Sequence, residues 1–348
     1  MGYTPNDIVT IINRGKKMKK NNAFTLHWIF NLLVVLVSLA STATGFAQGG
    51  DYAVTDVKNG GTITGTISFT GKVPTPKQLV IDIDAEICAK TTKVNESLLV
   101  EAETKGVKNV VVSLKGINTG KDWSLPEKGL ALFLNAPSTL QKDLDGGKTV
   151  PKSLQQMLKK NRVRIDAKAT VSIEKDSSQW LITDKKNQQQ YRVKKEGDQL
   201  NVYGLALNQN GCQFRPHVFV VPAARPFYVL NNDGIMHNLH TYSKANRAIN
   251  KAQPRFMKAL QMKSKDFKKP ETIRIACDVH SWMKAWIVTT AHPYYAVTDA
   301  KGNFAIDRIP PGSYTLELWH ERLGEQSQSV SIAAGGTTPV EATYTAPK

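Results

Sequence analysis

The sequence predicts an all-β protein built as β-sandwiches, and three observations carry that prediction. Nearly every periodic segment after residue 50 alternates with period two and is rich in Val, Ile, Thr and Tyr, as in residues 62–69 and 108–114. That is the pattern of half-buried strands. Clusters of Gly, Pro, Asn and Asp break the pattern at residues 71–74, 231–234 and 310–312, where turns are expected. Helical periodicity is confined to residues 153–160 and, more weakly, 245–259.

The first fifty residues differ from the rest. A basic stretch (Arg14, Lys16, Lys17, Lys19, Lys20) precedes an apolar run over residues 24–40 and a small-residue tail over 41–47. This three-part layout predicts a secretory signal peptide, residues 1–47, cut after Ala47. His27 and Asn31 interrupt the apolar run, which is short for a stable span, so removal is expected rather than anchoring. The remaining chain is expected to be exported or periplasmic. Its length suits two domains, each with its own core. The formal charge is +17; it reads as a solvated surface, with steering towards acidic partners or an anionic surface as the alternative. The lysines are scattered and no nucleic-acid motif accompanies them, so nucleic acid is not expected as a partner.

There are three cysteines, Cys88, Cys212 and Cys277. In an oxidising compartment an odd count means one pair and one thiol with another task. Cys277 alone has metal-ligand neighbours, which leaves Cys88 and Cys212 as the expected disulfide; the alternative is three reduced, buried thiols. Residues 119–200 have another texture, rich in Lys, Asp and Gln and without His or Cys. They read as an insertion between sandwich strands, with a hairpin whose Trp180 is a core residue.

The segment that carries chemistry runs from Thr272 to Thr290. A β-alternating strand leads into Cys277, a tight loop presents His280 and Met283, and a second strand follows. Forty residues upstream another strand leads into His237, within His237-Asn238-Leu239-His240. A thiolate and two imidazoles with a long axial thioether form the blue-copper ligand set. Structural zinc fits worse, since methionine is a poor zinc ligand. No Ser/His/Asp order, paired-carboxylate motif or phosphate-cradling Gly loop supports an enzyme.

Residues 203–290 resemble the type 1 copper proteins, or cupredoxins, and among them most closely the amicyanins, which share the Cys-x2-His-x2-Met spacing and the His-Asn-x-His context. The resemblance implies one copper ion with His237, Cys277 and His280 as equatorial ligands and Met283 as the axial one. It further implies that Asn238 braces the two ligand loops. Trp282, between two of the ligands, is expected to screen the metal or face a redox partner, and Trp286 to be core. His240 and His217 read as structural, and His292 and His320 as lying beyond the copper domain, though a second site including any of the last three stays open.

Residues 294–348 resemble a carboxypeptidase regulatory-like domain, a small transthyretin-like sandwich, with a turn at Asp299-Ala300-Lys301-Gly302 and another at Pro310-Pro311-Gly312. The tandem order also resembles exported bacterial proteins labelled methylamine-utilisation-like, a label that fixes no substrate. The expected layout is therefore a signal peptide (1–47), a cupredoxin-like domain (48–290) with an insertion at 119–200, and the small module (291–348). The expected function is electron transfer with a redox partner protein. A copper-handling protein and a metal-free cell-surface interaction module are the competing expectations.

Overall fold

Period-two segments become strands along the whole of the described chain. The structure, a computed structural model, describes residues 52–126, 130–174 and 178–346; the expected signal peptide lies outside them. Among the described residues the α-helices are the short segments Ala85–Cys88, Gln141–Gly146 and Lys152–Lys160, set among sheets of up to five strands. The fold is all-β, as the alternation predicts.

Residues 205–290 form the sandwich that bears the candidate site. One sheet orders the strands Phe214–Arg215, Ala206–Gln209, Phe227–Asn231 and Ala259–Met262. The other orders Val218–Pro222, Lys284–Thr290, Glu271–Ala276, His237–Tyr242 and Asn250–Gln253. Ile273 and Ile275, two apart in the strand, join Leu239, Ile287, Leu207, Phe227, Val229 and Met262 in one core. Strand His237–Tyr242 runs antiparallel to Glu271–Ala276, with His240 opposite Ala276. The start of the first strand therefore lies beside the end of the second. That single pairing carries His237 to the loop that holds Cys277.

Residues 245–259, expected to be helical, instead contain the strand Asn250–Gln253, paired with His237–His240. Pro254 follows it directly; a proline inside a helix loses a backbone bond and clashes with the preceding turn, so the sheet edge wins.

At the far end of the two site strands, Glu271 pins the turn after Tyr242. Its carboxylate accepts hydrogen bonds from Ser243 Oγ (2.6 Å), the backbone N–H groups of Lys244, Ala245 and Asn246, and Asn246 Nδ2 (3.0 Å). Burial raises its pKa, but these donors outweigh burial and hold it at about 2, against 4.5 for a free glutamate. A depressed carboxylate pKa means stability that is complete above the unfolded value and lost as pH falls towards the folded one. The expected result for Glu271→Gln is a loss of about 1–3 kcal/mol at pH 7 and a flatter stability profile between pH 4.5 and 2. Denaturant midpoints across that window measure both effects; parallel profiles for the two proteins would contradict the assignment.

A second sandwich departs from the expected boundaries. One of its sheets orders Tyr295–Val297, Val111–Lys115, Gly312–His320 and Gly324–Ile332; the other orders Asn303–Ile309, Gly61–Thr70 and Thr337–Thr345. Strands from residues 61–115, expected in the copper domain, thus complete the C-terminal module. The physical reason is pairing across more than 200 residues: Gly61–Thr70 runs parallel to Thr337–Thr345 and antiparallel to Asn303–Ile309. Gly302 marks the closeness of this join. Its φ is +78°, as the turn at residues 299–302 requires, and a Cβ there would lie 2.3 Å from Ile67 O.

The Lys/Asp/Gln-rich stretch folds as a five-stranded antiparallel sheet, ordered Ala131–Pro137, Gln199–Gly204, Gln189–Glu196, Gln179–Asp184 and Thr170–Glu174. Its hairpin pairs Trp180 with Val193. Trp180 is fully buried and donates to Asp145 Oδ1 (3.0 Å). Leu154 and Leu158 of helix Lys152–Lys160 close the same core, because residues four apart share one face of a helix.

Candidate metal centre

The loop after strand Glu271–Ala276 is tied by its own backbone. Cys277 N donates to Met283 O (3.0 Å) and Met283 N to His280 O (2.9 Å). These bonds turn Cys277 and His280 inward together. His237 and His280 are fully buried, and Cys277, the one free cysteine, is 2% exposed.

Three donor atoms meet. His237 Nδ1 lies 3.0 Å from His280 Nδ1, and Cys277 Sγ lies 3.9 Å and 3.7 Å from those two nitrogens. Among the described residues two groups of three could hold a metal: this one, and Cys212, Asp233 and His237. The sulfur of Cys212 is taken up in the disulfide with Cys88, which leaves the first group. His217, His292 and His320 belong to neither.

The other nitrogen of each ring is held by a carboxylate. His237 Nε2 pairs with Asp233 Oδ2 (2.9 Å) and His280 Nε2 with Asp84 Oδ2 (2.9 Å). Fixing one ring nitrogen in this way orients the other towards the ligand position and raises its basicity. Burial lowers the pKa of both imidazoles, yet the bonds to carboxylate and Cys277 sulfur outweigh it and the net shift is upward. Burial pushes the Cys277 thiol up; bonds from His237, His280 and the backbone N–H of Asn238 more than reverse this, to about 6. The sulfur is poised as a thiolate, the form that binds metal.

Asn238 spans both ligand loops. Its Oδ1 accepts from Asp278 N (2.7 Å) and lies 3.2 Å from Cys277 Sγ, while its Nδ2 donates to Asn250 Oδ1 and Asp278 Oδ2. His240 shares that side of the strand and pairs with Asp278 (3.0 Å), away from the donor triangle. Trp282 is half-buried, tilted against His280 at 5.2 Å between ring centroids, and donates through Nε1 to Cys212 O (3.0 Å). Met283 is buried in the same core as Cys277. Trp286 is half-buried; it meets Trp319 edge-on and packs with it against the small core of Val111, Val218, Val220 and Val288.

His217 lies on the wall of a cavity of about 280 Å³ that Trp282 and Met283 also line. There it bonds Glu321 and faces Glu96 at 3.8 Å. His320 is buried, its Nδ1 accepting from Arg322 N and Leu323 N, and burial pushes its pKa down to about 4. His292 Nδ1 accepts from Tyr294 N, and burial lowers its pKa too. All three are committed to the scaffold.

Asp233 and Asp84 are the residues that sequence reasoning missed. Asp233 could have been found, since it stands four residues before His237 in a turn-forming cluster. Asp84 could not, being 196 residues from His280. Two nitrogens and a thiolate, oriented from behind and shielded from water, fit a borderline or soft transition metal; with a thioether in the same loop the set fits copper better than structural zinc.

Comparison with known proteins adds a weak likeness. A family model described as polysaccharide lyase family 4, domain II, matches residues 265–340. That span crosses from the site-bearing sandwich into the second one, and it gives no support to the carboxypeptidase regulatory-like resemblance. No curated protein matches the chain. A Cu-containing nitrite reductase from Thermus scotoductus SA-01 is 16% identical over 25% of this chain and 22% of its own, with a TM-score of 0.22. The chain therefore spans about a fifth of that enzyme. A purple cupredoxin from Nitrosopumilus maritimus is 14% identical over 22% of this chain and 82% of its own, with a TM-score of 0.19. An amicyanin variant in the Cu(I) form is 14% identical over 25% and 81%, with a TM-score of 0.20.

Proposed function

We propose that the chain would hold one copper ion through His237 Nδ1, Cys277 Sγ and His280 Nδ1, with Met283 of the same loop as a further weak donor, and would exchange single electrons with a partner protein. The observation that carries this reading is the buried convergence of those three atoms, each imidazole being held from behind by a carboxylate. Bound copper would supply one-electron chemistry between Cu(II) and Cu(I). The protein's own residues exclude water, keep the sulfur deprotonated and hold the donors still. No substrate chemistry is part of the proposal.

Burial favours electron transfer over metal delivery. An electron can pass through packed side chains such as Trp282 against His280, whereas an ion needs an opening to leave, and the donors are closed from solvent. The Cys88–Cys212 disulfide accords with an oxidising, exported location. Among the described residues no helix is long and apolar enough to cross a membrane.

Reconstitution with Cu(II) tests the reading. An intense visible band from thiolate-to-copper charge transfer, one copper per chain and reversible bleaching by a reductant are expected. A colourless protein that binds Cu(I) tightly would move the assignment to copper handling. Absence of stoichiometric copper binding would sink both.

A further inference from the structure

The edge of His280 is covered by a part of the chain that belongs to neither of its own strands. Residues 77–95 leave and return as a closed loop: Leu79 N donates to Lys93 O and Asn95 N to Lys77 O (both 2.8 Å), around a bridge between Gln78 and Val94. At the tip lies the single helical turn Ala85–Cys88, begun by Asp84, whose φ of +50° turns the chain into it. Ile81, Ile87 and Cys88 pack on the core that contains Cys277 and Met283.

This loop is fastened at two points. Cys88 is bonded to Cys212 across 124 residues of sequence, and Asp84 Oδ2 holds His280 Nε2. The covalent point reaches the other imidazole as well. Gly211 N and Cys212 N donate to the two oxygens of Asp233 (2.6 and 3.0 Å), which holds His237, and Cys212 O accepts from Trp282. One disulfide thus joins Cys212, whose N–H donates to the carboxylate of Asp233, to Cys88, whose N–H donates to the backbone carbonyl of Asp84 (2.8 Å). Lys93, itself buried, donates to Cys88 O and Thr91 O and so closes the base of the turn.

We propose that residues 77–95 are a clasp over the metal centre, in which Asp84 is a positioning residue and the Cys88–Cys212 bond its anchor, and that the clasp retains the ion and excludes reagents from Cys277. The inference rests on the reading of the site as a metal centre for its first consequence, retention. Its second, the shielding of Cys277, does not. A carboxylate behind a ligand histidine is worth roughly 10–100-fold in metal affinity, and a buried thiol reacts only when its cover opens.

The test uses the full chain in two forms. In the metal-free protein, Cys277 thiolate attacks an aromatic disulfide reagent, forming a mixed disulfide and releasing one coloured aromatic thiolate that reports the rate. Asp84→Ala, which removes one charge-assisted hydrogen bond from the closed loop, is expected to react about tenfold faster than the parent, and Asp84→Glu to fall between the two. Cys88→Ser with Cys212→Ser, which leaves Cys277 as the only thiol, is expected to react faster still. In the copper-loaded protein, loss of ion to an excess chelator is expected to follow the same order.

Circular dichroism separates opening from unfolding, and Asp84→Ala serves if the double serine variant does not fold. Equal thiol reactivity in the parent and Asp84→Ala overturns the clasp, whether or not the parent takes up copper. Accelerated thiol reactivity in a parent that takes up no copper leaves the clasp standing and removes the copper reading.

Discussion

Residues 291–348 expressed alone are expected to remain unfolded, although their sequence reads as a complete small sandwich. Each of the two sheets in that sandwich takes an interior strand from the other end of the chain. Val111–Lys115 lies between Tyr295–Val297 and Gly312–His320, and Gly61–Thr70 lies between Asn303–Ile309 and Thr337–Thr345. Without them the second sheet has no strand that joins its two remaining members. The core loses Ile63, Ile67, Phe69, Val107, Val110, Val112 and Leu114, which pack with Phe304, Ile306, Leu316, Leu318, Val340 and Tyr344. At about 1.5–3 kcal/mol for each buried side chain, that loss is on the scale of a domain's entire net stability, roughly 5–15 kcal/mol. Far-ultraviolet circular dichroism of the fragment should show no cooperative transition. Adding a second fragment, residues 52–120, should restore one. A cooperative melt of 291–348 alone would show that the pairing with the N-terminal strands is not needed for the fold.

The boundary that fails in this way shows where sequence is informative. Local signals were legible: alternation at 62–69 and 108–114 marks strands, and the turn at Asp299 to Gly302 forms as read, with Gly302 N donating to Asp299 O (3.0 Å). So was the loop that brings Cys277 beside His280, because Cys277, His280 and Met283 sit within seven residues between two strands. Which strand lies beside which was not legible, since Gly61–Thr70 carries the same alternation whether it pairs within residues 48–290 or with Thr337–Thr345. Period two fixes the faces of a strand and says nothing of its neighbour. The misread helix at 245–259 has the same origin. Its apolar spacing is ambiguous, and pairing with His237–His240 decides it.

The candidate centre divides along the same line. Cys277 and His280 lie three residues apart and Asp233 stands four before His237, all within reach of a local reading, whereas Asp84 lies 196 residues from His280. Asp84, which holds His280, lies four residues before Cys88, which is bonded to Cys212, and Asp233 is steadied by the backbone N–H of Cys212. Placement of the imidazoles is thus shared among three segments far apart in the chain. A resemblance confined to residues 203–290 cannot contain the clasp, because residues 77–95 lie outside it.

Cys277→Ser is expected to abolish the visible charge-transfer band of the copper-loaded protein while leaving its fold in place. The band requires a sulfur donor, and serine supplies a hydroxyl that stays protonated where the thiol is held near pKa 6. The fold should survive because the bond that shapes the loop, Cys277 N to Met283 O, belongs to the backbone. Replacement of one small buried side chain by another of similar size costs about 1–3 kcal/mol where a polar atom is left without its full set of partners. Here Asn238 Oδ1, 3.2 Å from Sγ, can accept from the new hydroxyl. Absorption, metal analysis and circular dichroism of parent and variant together decide the matter. A variant that keeps the band would exclude Cys277 as the donor. A variant that loses both band and fold would leave the thiolate's role to be read from Cys277→Ala, whose apolar side chain places no new hydroxyl among the imidazoles. If the band goes and the fold remains, the colour belongs to Cys277 sulfur, and the buried triangle with His237 and His280 is the place to which the proposed copper ion is assigned.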